Sequence, residues 1–374
     1  MPTGESLDHE RLVSQTARIL LECNFRCPFC FAAWHEENKK PTAAVMNTSG
    51  RDWRGYIDKM KARGYRRLTI SGGEPTMHPD ILPLIRHARA LGFESIELQT
   101  NGSLLTEANA RRLAKAGVTD ALVSLHGHTE AIFDRITVTE GVFPTVVSGI
   151  RHLINAGINV MISHVIIAWN VEHLEGFVRF CHEELKGIRE ILFFSMQPEA
   201  RARKNLHLWP KLDRVRANLP RALDEAIRLG VGFRMDSQEG FPMCFIEGHE
   251  ERVDLADITD PEGTFGRDLS ALKVIERKKV KLPQCRECFF EPACYGFWEG
   301  YFLLHGDQGF QAVPRSERLA ALFPDLEAVH RGERPRPDLV PVRRKDQATW
   351  LEAEEVEELP MAWKEGREAA QRIK

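Results

Sequence analysis

The chain has 374 residues, with 51 basic and 54 acidic side chains and a formal net charge of −3. That length suits one large domain plus an appendage, buries about three quarters of its unfolded surface and needs no disulfide staples. The charge balance indicates no nucleic-acid footprint and no polybasic membrane anchor. "MPTGESLDHERL" lacks a signal-peptide core and no apolar run has transmembrane length, so a cytoplasmic protein is expected.

In chain order, "ARILLEC" (17–23) is a short apolar run and predicts a strand. Asn47, Thr48 and Ser49 are capping residues before a helix in which Trp53, Tyr56, Ile57 and Met60 recur at helical spacing. "RRLTIS" predicts a second strand. "HPDILPLIRHARALG" predicts a helix, with Pro79 near its start, Gly92 past its end and a buried stripe of Ile81, Leu84, Ile85, Ala88 and Leu91. Four more strands follow: "SIELQT", "DALVSL", "INVMISHVII" and "REILFFSM". Each precedes a helix: "TEANARRLAKAG", "VFPTVVSGIRHLINAG", "VEHLEGFVRFCHEEL" and "LDRVRANLPRALDEAIRLG".

Six strand–helix units in succession imply a parallel sheet with right-handed crossovers. Most of the strands read as apolar on both faces, as doubly covered strands should be. The expected fold class is α/β, an open or partial (β/α)6 barrel, with a doubly wound sheet as the second choice. In both, the active site lies at the C-terminal ends of the strands. The polar groups there are a cysteine loop after strand one, "SGGEP" after two, "TNG" after three, "SLHGH" after four, "WN" after five and "MQPE" after six. The expected domains are 13–235 for the barrel, 236–312 for an irregular Gly-, Pro- and aromatic-rich segment with four cysteines, and 313–374 for a partly helical extension without its own core.

The eight cysteines fall as Cys23, Cys27 and Cys30, then Cys285, Cys288 and Cys294, with Cys181 and Cys244 apart. Such clustering indicates metal binding and not a disulfide framework. Compact thiolate loops bind iron–sulfur clusters or zinc. A structural zinc site completed by His35 is the plainer reading of the first set. Three cysteines on a four-iron cluster would instead leave one iron open.

"CNFRCPFC" resembles the C-x3-C-x-aromatic-C signature of the radical S-adenosylmethionine (SAM) enzymes, with Phe29 in the aromatic place. The similarity extends through "SGGEP" and "TNG" and spans roughly residues 15 to 235. The resemblance implies that SAM chelates the open iron of a [4Fe–4S] cluster. One electron then cleaves SAM to a 5′-deoxyadenosyl radical, which takes a hydrogen atom from the substrate. It assigns Gly72, Gly73 and Glu74 to the SAM amino group. Arg135 is a candidate fork for the SAM carboxylate. Ser124 and Asn170 are candidates for the ribose hydroxyls or the methionine part, and Asn101 joins this polar set; each is also readable as a cap or turn residue. His126 and His128 are candidate substrate contacts or plain loop histidines, and His126, Gln197 and Glu199 would line the barrel mouth.

"CRECFFEPACYGFWEGY" holds the second set, with Cys244 of "GFPMCFIEG" as its fourth ligand. Four thiolates also make a structural zinc site. The segment resembles the auxiliary-cluster domains of radical SAM enzymes, SPASM when long and twitch when short. No cysteine follows Cys294, so the short form with one auxiliary [4Fe–4S] cluster fits better. Cys181, beside Phe177 and Phe180, reads as core. The expected activity is radical oxidation, rearrangement or cross-linking of a small metabolite or peptide, with a reducing partner such as flavodoxin or ferredoxin. A ribosomal-peptide maturase is a narrower alternative, and a non-catalytic iron–sulfur or zinc protein a different one. About twenty residues precede Cys23, so no winged-helix peptide-recognition domain is expected ahead of the barrel.

Overall fold

A computed structural model of the chain describes residues 14–33, 50–236, 240–246, 248–254, 279–336 and 343–344. The proposed caps Asn47, Thr48 and Ser49, and the alternative zinc ligand His35, lie outside these residues. Eight strands make one sheet: β1 (Ser14–Leu20), β2 (Arg67–Gly72), β3 (Ser95–Thr100), β4 (Asp120–Ser124), β5 (Asn159–Ile166), β6 (Glu190–Ser195), β7 (Phe233–Asp236) and β8 (Val253–Asp254). They lie side by side in chain order, and every neighbouring pair is parallel. The parallel run therefore continues two strands beyond the expected six, and the expected break at residue 235 falls inside β7.

The connecting helices are α1 (Gly50–Ala62), α2 (Ile81–Ala90), α3 (Glu107–Ala116), α4 (Glu130–Thr137), α5 (Phe143–Asn155), α6 (Leu174–Glu184), the single turn α7 (Ala200–Arg203) and α8 (Leu212–Leu229). Local chemistry sets their ends. Thr106 and Thr129 cap α3 and α4 by accepting from the backbone N–H three residues on, and Gly230 ends α8 in the left-handed conformation. The short α4, which carries Arg135, is an additional helix between strands four and five.

The sheet curls. Adjacent strands are about 4.8 Å apart, so a flat sheet would hold β1 and β6 about 24 Å from each other. Yet Arg201, Ala202 and Asn205, just beyond β6, donate hydrogen bonds to the carbonyls of Cys27, Cys30 and Pro28, just beyond β1. The architecture is a partial α/β barrel. Its outer face is apolar and covered by helices: Ile96 and Leu98 of β3, Ala121 and Val123 of β4, and Ile191 and Phe193 of β6 are all fully buried.

The inner face is mixed. Thr69, Glu97, Asp120, Met161 and Arg234, from β2, β3, β4, β5 and β7, line one largely polar space toward the N-terminal ends of the strands, together with Arg67 and Arg189. This corrects the expectation of strands apolar on both faces. Helices cover only the convex side, and the concave side mixes polar groups with Leu122, Val165, Leu192 and Phe194, so "SIELQT" alternates between half-buried and buried positions.

The C-terminal part adds a small sheet of β9 (Lys279–Lys281), β10 (Phe297–Trp298) and β11 (Arg343–Arg344), with β9 central, β10 antiparallel to it and β11 parallel. Helices α9 (Glu299–His305), α10 (Glu317–Leu322) and α11 (Pro324–His330) accompany it. Leu282, Phe290, Tyr295, Trp298, Leu319 and Leu326 are buried in the same apolar cluster as the barrel core. Trp298 reaches the end of β6, where its indole N–H lies 3.4 Å from Ser195 Oγ. No helix among the described residues is long and apolar enough to cross a membrane.

Candidate active site

The loop bearing Cys23, Cys27 and Cys30 follows β1 at the C-terminal edge of the sheet, and three neighbouring loops fix it there. The end of β2 presses directly on its entry. Gly73 N–H donates to Leu20 O at 2.7 Å and Glu74 N–H to Glu22 O at 2.9 Å. A Cβ on Gly72 would lie 2.1 Å from Leu20 O, and one on Gly73 2.1 Å from Glu22 O. The Gly-Gly pair is thus required by backbone-to-backbone approach, and φ at Gly72 is +144° as well. The end of α4 supplies the second contact, Arg26 N–H to Thr137 O at 3.0 Å. The turn after β6 supplies the third, with the bonds from Arg201, Ala202 and Asn205. Among the described residues, the non-glycine residues with positive φ are Val138 and Ala200, each next to one of these contacts. Strain of this kind persists only where the surroundings over-determine it.

The sulfurs sit in a mixed environment. Cys23 Sγ accepts from Phe25 N–H at 3.4 Å and from Asn101 Nδ2 at 3.7 Å. Burial pushes the Cys23 thiol up, and Glu74 and Cys30 push it further. Burial also drives the Cys27 thiol well above its ordinary range, Cys30 and Cys23 add to this, and the Arg201 guanidinium opposes it. Three thiolates this close repel one another, so a bound cation is what would hold them ionised. Phe29 is buried and meets His126 edge-to-face at 4.8 Å.

Glu74 is fully buried. Its Oε1 accepts from Thr76 N–H, Thr76 Oγ1 and Thr100 Oγ1, and its Oε2 from Asn101 N–H at 2.7 Å. Burial raises its pKa against those donors. Asn101 continues the network: its Nδ2 donates to Asn24 Oδ1 and its Oδ1 accepts from Ser103. Glu74 and Asn101 therefore tie the ends of β2 and β3 to Cys23. Asn170 is buried and spends its carboxamide on main chain, accepting from Ile167 N–H and donating to His126 O and Val165 O. It clasps β4 to β5. Ser124 closes β4, half-buried. Arg135 is exposed and stacks on Trp169 at 4.2 Å, two residues from the α4 contact with the cysteine loop.

His126 is buried, accepts from Val165 N–H at Nδ1, and is pushed down to about 3 by burial and by His164. His128 is half-buried and packs near His173. Arg201, Ala200 and Asn24 are not among the candidates legible in the sequence, and Trp169 appears there only as part of "WN". Arg201 lies in the basic "ARARK" run directly after "MQPE", and Trp169 in the same "WN" as Asn170. Those letters were the available signal.

The second cysteine set lines one cavity, with about 440 Å³ of empty space including its open mouth. Cys244, Cys285, Cys288 and Cys294 all face it, among Leu282, Phe290, Phe297, Phe302 and Phe310. Gly296 N–H lies 3.3 Å from Cys294 Sγ and Val313 N–H 3.4 Å from Cys288 Sγ. Backbone donors aimed at sulfur are a way proteins tune iron–sulfur ligands. Burial, then Cys294 and Cys288, push the Cys285 thiol up to about 11, and burial followed by the other three thiols raises Cys244 further. Four thiols around one cavity suit either a lone zinc, which needs its sulfurs about 2.3 Å from one point, or a four-iron cluster, which spreads them over four metals. Cys181 is fully buried in α6, apart from both sets.

Residues 19–181 match the family described as the Radical SAM superfamily. Among curated relatives, a probable GTP 3',8-cyclase of Sulfurisphaera tokodaii is 26% identical over 54% of this chain and 62% of its own length. An AdoMet-dependent heme synthase of Oleidesulfovibrio alaskensis is 29% identical over 49% of this chain and 45% of its own length. The chain thus spans roughly half of the curated relatives it matches. Among solved structures, Streptococcus suis SuiB bound to S-adenosylmethionine has a TM-score of 0.52 at 17% identity, covering 82% of this chain and 76% of that one. Native anSMEcpe with bound AdoMet has a TM-score of 0.53 at 15% identity, covering 86% and 100%. At such identities these two structures speak to the fold alone.

Proposed function

We propose that this chain, which belongs to the Radical SAM superfamily through residues 19–181, is an enzyme that reductively cleaves SAM and abstracts hydrogen from an organic substrate. The observation that carries the reading is the three-thiol loop at the C-terminal edge of a parallel partial barrel, fixed by the glycine pair and by Arg201. The donor set fits the family's [4Fe–4S] cluster, since three soft, mutually repelling thiols leave one iron for SAM. When bound, that pair supplies the 5′-deoxyadenosyl radical. Cys23, Cys27 and Cys30 would hold the cluster. The Gly72–Gly73–Glu74 loop would meet the SAM amino group, Arg135 its carboxylate, and Phe29 and Ser124 the rest of the cofactor. Asn101 and Asn170 would act mainly by holding these loops in place.

We assign Cys244, Cys285, Cys288 and Cys294 to an auxiliary [4Fe–4S] cluster of the twitch type, supported by their shared cavity and the N–H···S contacts. We take the catalytic barrel as residues 13–235, its sheet carried on by β7 and β8, the auxiliary segment as 236–312 and the remainder as an extension. The named relatives, a probable GTP cyclase and a heme synthase, differ from each other, so the substrate is proposed by class only: a small metabolite or peptide side chain at the barrel mouth, beside the C-terminal ends of the strands. We place the enzyme in the cytoplasm, with an oxidoreductase-type outcome and a flavodoxin- or ferredoxin-like reductant.

Anaerobic protein reduced with dithionite and given SAM should form 5′-deoxyadenosine. Cys23→Ala, Cys27→Ala and Cys30→Ala combined should abolish this and halve the iron. Wild-type protein with a full first cluster and no 5′-deoxyadenosine would overturn the reading.

A further inference from the structure

The wall of the second cysteine cavity is apolar and aromatic apart from the thiols, Gln311 and one ion pair, Lys281 with Glu291. Both charged residues are buried, at 8% and 5% exposure. Lys281 Nζ donates to Glu291 O at 2.6 Å and lies 3.3 Å from Glu291 Oε1, while Arg336 pairs with Glu291 Oε2 at 2.9 Å. Lys281 ends β9 and directly precedes Leu282, whose carbonyl accepts from Cys285 N–H at 3.0 Å, so the ammonium and the Cys285 turn are built on one short stretch. A buried ion pair is weak evidence for stability, because desolvation offsets the attraction. Its place in this wall calls for another reason.

Adding an electron to a four-thiolate cluster adds a negative charge inside a low-dielectric shell. A fixed cation there eases that step and a fixed anion opposes it. We propose that Lys281 is the charge-setting residue of the second cysteine site: its buried ammonium, locked by Glu291, holds the site's reduction potential above what the aromatic wall alone would give. Glu291 fixes the ammonium, and Arg336, itself largely exposed, pairs with the carboxylate's other oxygen and draws part of its charge away from the cavity. This role rests on reading the site as an iron–sulfur cluster.

The test uses the full chain carrying Cys23→Ala, Cys27→Ala and Cys30→Ala, so that only the second site is loaded. It is reconstituted anaerobically with iron and sulfide and titrated with dithionite under EPR detection, with iron counted on the same sample. Lys281→Met should shift the midpoint down, Glu291→Gln should shift it up, and Lys281→Arg should leave it near the starting value, all with unchanged iron. Opposite shifts from two partners of one ion pair are the signature of charge, since a merely structural role moves both the same way. Equal midpoints, or shifts of one sign, in samples with full iron overturn the role of Lys281 alone. If Lys281→Met fails to hold iron, Glu291→Gln decides: an upward shift supports the proposal and an unchanged midpoint overturns it. A parent chain that binds zinc or no iron overturns the cluster reading itself, and the Lys281 role with it.

Discussion

Glu74 is the residue on which the loop after β2, proposed above to meet SAM, turns. Both of its oxygens accept main-chain N–H groups, from Thr76 and from Asn101. In Glu74→Gln, the new amide nitrogen must oppose one of those N–H groups whichever way it is turned. The threonine hydroxyls can reverse their roles, but the main chain cannot. A lost charge-assisted bond of this kind costs about 1.5–3 kcal/mol. Expected outcomes are a lower unfolding midpoint and SAM affinity weaker by about tenfold or more, with iron retained. Anaerobic calorimetry and denaturant titration check both, and wild-type affinity would mean that the loop is structural only. Gly73→Ala is harsher, because the added Cβ would meet Glu22 O at 2.1 Å. The cysteine loop must move, and the expected result is loss of the first cluster's iron, about half the total, in a chain whose circular dichroism stays native.

At the scale of elements, the clasp between the turn after β6 and the cysteine loop closes the curl. Arg201 gives Cys27 O a charged donor at 3.0 Å and places a cation beside the Cys27 sulfur. Arg201→Ala should leave the fold intact and speed loss of the first cluster to a chelator by roughly tenfold, the order of one charged hydrogen bond. Arg201→Lys should recover part of this, and equal bleaching rates for variant and wild type would refute the clasp. This contact also marks where legibility in the sequence ends. Cys23, Cys27 and Cys30 share one loop, and Gly72–Glu74 sit at a strand end, so their letters carry the chemistry before any folding. Arg201 and Cys27 are 174 residues apart and meet only because the sheet curls. The alternation in "SIELQT" is visible in its letters, but which of its faces helices cover is decided by curvature. β7 and β8 are too short to stand out beside Gly- and Pro-rich neighbours, and they become strands by pairing with a sheet already formed.

For the whole molecule, acid should bear on the barrel through two histidines buried at the ends of β4 and β5. Burial pushes His126 and His164 down to about 3. Below about pH 6.5 the unfolded chain takes up protons that these folded imidazoles refuse. Stability should therefore be full above that pH and fall by about 1.4 kcal/mol per unit per histidine as pH drops toward 3. Glu74 and Glu97 work the other way, since burial raises them and the folded chain holds their protons as pH falls toward the ordinary carboxylate range. Phe at position 164 keeps the ring contact with Phe177 and removes the titration. His164→Phe should reduce the slope of unfolding free energy between pH 6.5 and 5 by about one proton, and an unchanged slope would show that His164 is protonated in the folded chain.

The two cysteine sets lie in different parts of the molecule, and the proposed reading gives them different tasks. The first set and its supporting loops lie in the barrel, while the second sits in the C-terminal part, joined to it through Trp298 at Ser195 and through Arg216, which donates to Cys244 O. Cleavage of SAM should depend on the first set alone, and the fate of the substrate on the second. Cys285→Ala with Cys288→Ala should therefore leave 5′-deoxyadenosine formation measurable while product formation falls to background. Metal binding at such a site is also folding free energy, so the same preparation must show native circular dichroism and half the wild-type iron. The apolar wall around the second cavity is continuous with the barrel core, which favours a folded variant even with that site empty. Full product yield from a folded chain holding only the first cluster would make the second site a structural staple, and the substrate radical would then have to be resolved within the barrel.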